Sequence, residues 1–216
     1  MSISLNLDKI KKEIPKNVLL VAVSKTKPVE DLESAYKSGQ LHFGENKIQE
    51  LIAKENALSK DIKWHMIGHL QRNKVKFIVP FIYLIHSVDS IKLLKEIDKQ
   101  GGNNNRNINV LIQVDISNDE TKFGFSFEEI NSIFSNNELD KFKNTTIQGF
   151  MGMASYTSDK NLIKNQFTNL ENLFKKFKKT HSLMFLSMGM SSDYKEAIQC
   201  SSNVIRLGSN IFGRRN

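Results

Sequence analysis

The sequence predicts an α/β fold, a single (β/α)8 TIM-type barrel in which eight parallel strands alternate with helices. Three observations lead to this prediction. Short apolar runs recur along the 216 residues and are separated by stretches with helical periodicity, as in consecutive βα units. Several runs lack polar alternation, which is typical of strands buried on both faces. No Pro- or Gly-rich linker and no internal repeat divides the chain, so we expect one domain over residues 1–216.

Eight apolar runs are the expected strands. In chain order they are VLLVAV from Val18, LHFG from Leu41, WHMIG from Trp64, FIYLIHSV from Phe81, NVLIQVD from Asn109, IQGFMG from Ile147, LMFLSMG from Leu183 and NVIRLG from Asn203. Because 216 residues lie at the short end of the range for such barrels, an open doubly wound sheet is the alternative.

Apolar residues at helical spacing lie between these runs and mark the expected helices. The stripes are Val29, Leu32 and Tyr36; Ile48, Leu51, Ile52 and Leu58; Ile91, Leu94 and Ile97; Phe127, Ile130 and Phe134; and Leu162, Ile163, Phe167, Leu170, Leu173, Phe174 and Phe177. Ser126 and Glu129 have the spacing of a capping box just before the fourth stripe. We assign every stripe to core packing rather than to a cofactor groove.

The composition is that of a folded globular protein, with 39% hydrophobic and 25% charged residues. No run approaches the roughly 18 apolar residues of a membrane span, and the first residues lack the apolar stretch of a secretory signal. The single cysteine, Cys200, cannot form an internal disulfide, which fits a reducing compartment. We therefore expect a cytoplasmic protein without a membrane partner, and a monomer because no exposed apolar stripe indicates a second subunit.

The net charge of +8 raises the question of a nucleic-acid partner. The lysines, however, are interleaved with asparagines on the surfaces of expected helices, and no aromatic and arginine stacking motif accompanies them. We interpret them as solvated faces and expect no nucleic-acid partner. The alternative, a basic nucleic-acid-binding protein, is supported by the net charge alone.

The residues that follow the strands are the candidates for chemistry, because active sites of such barrels lie at the carboxyl ends of the strands. Lys25 follows the first strand, and a lysine in a partly desolvated pocket can form a Schiff base with an aldehyde. Ser191 follows the seventh strand, and Gly208 and Ser209 follow the eighth, where barrels often bind phosphate. Together these positions suggest a ligand that carries both a phosphate and an aldehyde.

For other polar residues of the strands, a structural role is the alternative to a functional one. Arg206 lies in the eighth strand among apolar neighbours, and a buried guanidinium needs an acceptor, from a ligand or from an ion pair. His42, His65 and His69 do not have a recognised zinc spacing, so we expect no metal site.

Taken together, the motifs resemble those of the pyridoxal phosphate homeostasis proteins, a single-barrel family related to the N-terminal domain of alanine racemase. The motifs that carry the resemblance are VAVSKTKP at Val21, FGENKIQE at Phe43, WHMIGHLQRNK at Trp64, SVDS at Ser87, GFMGM at Gly149, SMGMSSD at Ser187 and RLGSNIFG at Arg206. They cover nearly the whole chain in family order.

The resemblance implies pyridoxal 5′-phosphate (PLP) as the cofactor, with Lys25 as the lysine that holds it as a Schiff base. It implies that Arg206 faces the pyridine nitrogen, where a permanent cation disfavours protonation and weakens the ring as an electron sink. The other positions that it implies for cofactor binding are Asn46, His65, Met188, Ser191, Gly208 and Ser209.

From this resemblance we expect a protein that binds PLP and delivers it to PLP-dependent apo-enzymes, without robust turnover. The alternative is a PLP-dependent amino-acid racemase or lyase. A racemase needs a second acid or base, which its relatives supply from a further domain; fewer than about ten residues follow the eighth strand, so we expect no such domain. Tyr156 could substitute, but a loop aromatic is more simply a lid or surface residue. Lys27 is a further candidate amine, for which a solvent-facing role is the simpler reading.

Overall fold

The computed structural model of the protein describes residues 2–117, 123–136 and 138–213. Its strands are all parallel and close into a barrel in chain order, from β1 to β8. They are β1 (Leu19–Val23), β2 (His42–Glu45), β3 (Lys63–Met66), β4 (Leu84–Val88), β5 (Ile108–Gln113), β6 (Thr145–Met151), β7 (Phe185–Ser187) and β8 (Val204–Leu207). Since β1 pairs with β8, the (β/α)8 prediction is confirmed and the open sheet is excluded.

Helices surround the barrel, and they carry the apolar stripes of the sequence with one exception. They are α1 (Ile3–Glu13), α2 (Val29–Lys37), α3 (Ile48–Ala57), α4 (Val75–Ile78), α5 (Ile91–Asn103), α6 (Phe127–Ser135), α7 (Lys160–Lys178), α8 (Tyr194–Gln199) and α9 (Ser209–Phe212), with a 3-10 turn at Arg72–Lys74. The exception is Leu58, which directly follows the last residue of α3. The capping box of α6 is confirmed, because the Ser126 hydroxyl accepts the Glu129 N–H while the Glu129 carboxylate accepts the Ser126 N–H. Within the described ranges, no helix has the length and apolar character needed to cross a membrane.

Two apolar regions hold the barrel together. The larger one packs the outward faces of the strands against the helices, and its largest fully buried side chains include Trp64, Phe43 and Phe150. The smaller one consists of Leu84, Leu111 and Met151. Because side chains alternate along a strand, Leu84 shares the inward face of β4 with His86, so this cluster fills part of the barrel interior. The interior also holds the buried polar side chains of His65, His86 and Ser187.

A tight approach between β6 and β7 fixes part of the barrel wall. The pairing of β5 with β6 shifts register between Val110 and Leu111, next to Gly149. Gly149 has a φ of 155°, and a Cβ at this position would lie 1.8 Å from the carbonyl oxygen of Phe185. Glycine is therefore required where the two strands meet.

Replacement of Gly149 by alanine is expected to lower the free energy of unfolding by about 3 kcal/mol or more, because the added methyl overlaps backbone atoms. Urea unfolding followed by circular dichroism measures the change. Gly102→Ala in α5 is the control, since its Cβ would meet the flexible side chain of Asn144 and should change stability by less than about 1 kcal/mol. Equal stabilities of the two variants would contradict the steric argument.

Candidate functional site

A cavity of about 330 Å³ opens at the carboxyl end of the barrel. The predicted site residues that line it are Lys25, Asn46, Ser191, Arg206, Gly208 and Ser209. They come from the ends of β1, β2, β7 and β8, as expected for a parallel barrel. The structure therefore brings together six positions that are spread over more than 180 residues of sequence.

Two predicted site residues lie outside this lining. His65 is fully buried in the barrel interior, where its ring contacts two other histidines. Met188 is also fully buried, but it packs in the hydrophobic core. Met190, two residues further on, lines the cavity in its place. Both methionines lie beyond Ser187, the last residue of β7, and Gly189 between them has a φ of 96°, so the side-chain alternation of a strand does not extend over them.

Lys25 occupies the corner of a tight turn after β1. The Lys27 N–H donates to the Ser24 carbonyl oxygen over 3.0 Å, which closes the turn. Thr26 has a φ of 64°, an unusual conformation for a β-branched residue. Its N–H donates to Glu50 Oε2 over 2.7 Å, and this bond holds the turn in place. The backbone on both sides of Lys25 is therefore fixed.

A buried ion pair supports the same turn from behind. Lys54 Nζ lies 2.7 Å from Glu45 Oε1 and donates to the Ser24 carbonyl oxygen over 2.8 Å. The Ser24 hydroxyl donates to the same Glu45 oxygen, also over 2.7 Å. Burial raises the pKa of Glu45, whereas the hydrogen bonds from Lys54 and Ser24 act to lower it. Lys54 thus compensates the negative charge of the Glu45 carboxylate, which is buried behind the turn of Lys25.

The two loops expected to bind phosphate meet at the part of the cavity wall that adjoins β1. The Gly208 N–H donates to the Ser191 hydroxyl over 3.3 Å. The Ser191 loop is closed by Asp193, whose carboxylate accepts the Met190 N–H over 2.6 Å. A Cβ on Gly208 would lie 3.2 Å from the Val23 carbonyl oxygen, so glycine lets this loop lie close to β1. The cavity is consequently lined here by hydroxyl and backbone groups.

Arg206 is the buried charge of the site, with 4% of its surface exposed. It donates to the Ser187 carbonyl oxygen over 2.9 Å, to the Ser187 hydroxyl over 2.5 Å and to the Gly152 carbonyl oxygen over 3.1 Å. Burial lowers the pKa of Arg206 to about 10, so the guanidinium is still charged at neutral pH. The hydrogen-bond partners of the Arg206 guanidinium are therefore neutral oxygen acceptors rather than a carboxylate in a direct ion pair.

The cavity lining is cationic. Lys25, Lys27 and Arg206 all face it, and no carboxylate occurs among the described residues that line it. Lys27 Nζ also donates to the Phe212 carbonyl oxygen over 3.0 Å, at the end of α9. Tyr156 is fully exposed at the rim. Such a cavity favours an anionic ligand.

The three histidines first considered as metal ligands do not come together. His42 and His65 contact each other inside the barrel, whereas His69 binds Asp89 over 2.9 Å and stacks on Phe123. The third histidine of the interior is His86, which was missed from the sequence. The sequence signal that could have identified His86 is a histidine in the middle of an otherwise apolar strand. The described residues contain no group of three or more acidic, histidine or cysteine side chains suited to a metal ion.

Comparison with known proteins identifies the family. The chain matches the family described as "Alanine racemase, N-terminal domain" over residues 2–216. The pyridoxal phosphate homeostasis protein of Synechocystis sp. is 38% identical over 207 residues, with 94% of each chain covered. The chain belongs to the pyridoxal phosphate homeostasis protein family. The human protein of this name is 36% identical over 210 residues, which cover 91% of this chain and 76% of the human one.

Solved structures agree with this membership. PipY from Synechococcus elongatus without PLP has a TM-score of 0.93 at 32% identity, covering 98% of this chain and 100% of PipY. PipY with PLP bound has a TM-score of 0.89 at 30% identity, with the same coverage. An alanine racemase from Clostridium difficile has a TM-score of 0.81 at 14% identity, covering 99% of this chain and 57% of that one. The last likeness concerns the fold alone.

The interior histidines predict a dependence of stability on pH. Burial lowers the pKa of His42 to about 4 and lowers the pKa values of His65 and His86 well below the ordinary 6.5. Below pH 6.5 the unfolded chain therefore takes up protons that the folded protein does not, and stability that is complete above this pH is lost as the pH falls.

We expect the free energy of unfolding to decrease between about pH 6.5 and 5, by up to about 1.4 kcal/mol per pH unit for each histidine. Urea unfolding at several pH values measures the slope. His86→Asn should reduce this slope by the contribution of about one proton, because it removes one of the three interior histidines. A stability that does not change across this window would contradict the burial of neutral histidines.

The ion pair behind Lys25 predicts a large effect of Lys54→Met, which leaves Glu45 buried without its cation. The free energy of unfolding should fall by about 3–5 kcal/mol, and Glu45→Gln added to Lys54→Met should restore part of it. Lys60→Met is the matched control, because Lys60 pairs with Glu55 at the exposed surface and should contribute less than about 1 kcal/mol. Equal losses in the two single lysine variants would refute the assignment.

Proposed function

We propose that this protein binds PLP in the cavity at the carboxyl end of the barrel and holds it as a Schiff base on Lys25. In this proposal it serves the intracellular homeostasis and delivery of PLP, without robust turnover of its own. The observation that carries the proposal is the position of Lys25: a lysine on an anchored backbone turn faces a cationic cavity, and a loop suited to a phosphate lies beside it. Family membership and the PLP-bound PipY structure support the same ligand.

The residues of the cavity fit this cofactor in size and in chemistry. A volume of about 330 Å³ is at the lower end of the range of small-molecule sites. The cofactor phosphate carries negative charge, which the cations of the lining attract. Ser191, Gly208 and Ser209 would hold the phosphate with hydroxyl and backbone groups, as phosphate sites of barrels do after strands seven and eight. Arg206 would face the pyridine nitrogen.

Lys25 has the setting that Schiff-base formation requires. When bound, PLP supplies an aldehyde that condenses with amines and a ring that can accept electrons. Lys25 would hold the cofactor through Nζ, and the aldehyde would supply the carbon of the C=N bond, with its oxygen released as water. Lys25 is half-buried at the wall of the cavity.

The rest of the cavity supports binding rather than catalysis. Arg206 is a permanent donor, so it disfavours a proton on the pyridine nitrogen and weakens the ring as an electron sink. Tyr156 points fully into solvent, where it is poorly placed to exchange a substrate proton. These two observations favour a carrier over the alternative, an amino-acid racemase or lyase.

Delivery requires that another amine can reach the site. The rim of the cavity includes the exposed residues Tyr156, Ser209 and Gly213, so an incoming lysine or amino acid has access to Lys25. We propose PLP-dependent apo-enzymes in the cytoplasm as recipients, served by the protein as a single-domain monomer. Neither a nucleic acid nor a membrane is needed in this scheme.

The test is to add PLP, reduce with borohydride and map the modified peptide by mass spectrometry. We expect a yellow absorption band and a modification on Lys25. Lys25→Ala should lose both, whereas Lys27→Ala should keep the modification, because Lys27 binds the Phe212 carbonyl oxygen and serves the fold of the loop. A wild-type protein that remains colourless and unmodified would sink the proposal.

The same preparation separates a carrier from an enzyme. Amino acids are incubated with the loaded protein in heavy water, and loss of the α-proton signal is followed by NMR. We expect no exchange at a useful rate above that of free PLP. Rapid exchange that disappears in Lys25→Ala would favour the racemase or lyase alternative.

A further inference from the structure

A continuous line of hydrogen-bonded side chains crosses the interior of the barrel. His42 Nδ1 lies 2.9 Å from His65 Nε2, and His65 Nδ1 lies 2.8 Å from His86 Nε2. His86 Nδ1 lies 3.0 Å from the Ser187 hydroxyl, which in turn accepts from Arg206. We call these five residues the histidine relay.

The histidine relay connects the two ends of the barrel. Its first three members lie on the neighbouring strands β2, β3 and β4, whereas the bond from His86 to Ser187 spans to β7, which is not a neighbour of β4. Such a bond must pass through the interior. At one end Arg206 lines the cavity proposed for the cofactor, and at the other end His42 lines an open depression at the amino ends of the strands.

The chemistry of Arg206 sets the direction of every hydrogen bond in the relay. A guanidinium can only donate, so the Ser187 oxygen accepts from it. The hydroxyl proton of Ser187 is then free to be given to His86 Nδ1. Within the described part of the chain, Arg206 and His86 are the hydrogen-bond partners of this hydroxyl.

The remaining bonds follow one after another. Because His86 Nδ1 accepts, its proton is on Nε2 and is donated to His65 Nδ1. His65 in turn carries its proton on Nε2 and donates it to His42 Nδ1. Burial keeps His65 and His86 neutral, so each ring has one donor and one acceptor, as this order requires. The opposite order would leave the Ser187 proton without an acceptor in the buried interior, which is costly.

We propose that His86 is a positioning residue for Arg206, acting through the Ser187 hydroxyl. The ring of His86 fixes the rotation of this hydroxyl so that a lone pair faces Arg206, and His65 fixes the tautomer of His86. The relay therefore aims the guanidinium at the cavity floor by a defined chain of donors and acceptors. Its consequence for PLP rests on the proposed function, whereas the order of its protons belongs to the protein without a ligand.

The order of protons is tested on the ligand-free protein by long-range ¹H–¹⁵N correlation NMR of its histidine rings at a pH above 7. The chain has five histidines, and conservative single variants assign them. We expect His42, His65 and His86 each to carry the proton on Nε2. A proton on Nδ1 of His65 or His86 would overturn the proposed polarity, whether or not PLP binds.

The coupling to Arg206 is tested by Ser187→Ala, with Ser202→Ala as the matched control. Ser202 is also a buried serine at the β7–β8 side, but its hydroxyl binds backbone carbonyl groups outside the relay. We expect Ser187→Ala to shift the ring signals of both His86 and His65, and to weaken PLP binding by about tenfold, since a hydrogen bond to a charged group is lost. Ser202→Ala should leave the ring signals unchanged.

Rescue by a conservative variant separates positioning from general support of the fold. His86→Asn retains an acceptor near the position of Nδ1, whereas His86→Leu does not. We expect the visible band of the loaded protein and its PLP affinity to stay near wild type in His86→Asn and to change in His86→Leu, with equal thermal stability of the two variants checked in parallel. Identical bands and affinities in both variants would refute a role of His86 in aiming Arg206.

If borohydride mapping fails in the wild type while the ring protons are as expected, the proposed function is refuted and the order of protons in the histidine relay is still supported.

Discussion

The site depends on the closure of the barrel between its first and last strands. The pairing of β1 with β8 places Val21 opposite Arg206 and Ala22 opposite Leu207. The loop that carries Lys25 therefore lies beside the loop that carries Gly208, although the two are separated by most of the chain. The proposed covalent anchor and the proposed phosphate site lie on adjacent strands because of this single pairing, since the carboxyl ends of parallel strands share one edge.

Burial of charge is the main cost of this arrangement, and the protein meets it in two ways. Arg206 is surrounded by neutral oxygen acceptors and by a hydroxyl whose orientation is itself controlled, so the guanidinium stays solvated by the protein. Glu45 is instead paired with Lys54, and the pair binds the backbone at Ser24. Both solutions use hydrogen bonds to rigidify groups around the cavity, which is what a site of fixed geometry needs.

The same architecture occurs in alanine racemases, yet the chemistry of a site comes from its side chains and not from its fold. In this protein the floor of the cavity is a cationic donor and the rim is open. In the proposed site, a cation that faces the pyridine nitrogen would limit the use of the ring as an electron sink, and the open rim would allow one amine to replace another. The combination suits a protein that holds a reactive aldehyde and passes it on, which is the role we propose.

The sequence by itself determined the elements of the fold. Strand positions, the apolar faces of helices and the capping box at Ser126 depend on local periodicity and capping chemistry, and the structure has them as predicted. Six of the eight expected site residues line one cavity because their positions at strand ends already specify the edge of the barrel. The family resemblance implied the roles of these residues, and membership in that family is established.

The tertiary structure decided which side chains meet inside the barrel. Met190 lines the cavity and Met188 does not, because both follow the end of β7 and the positive φ of Gly189 between them breaks the alternation of the strand. The contact between His86 and Ser187 joins residues 101 positions apart, and no local pattern contains it. The physical reason is that periodicity reports whether a side chain is buried, whereas its hydrogen-bond partner is set by barrel closure, strand register and the satisfaction of every buried polar atom.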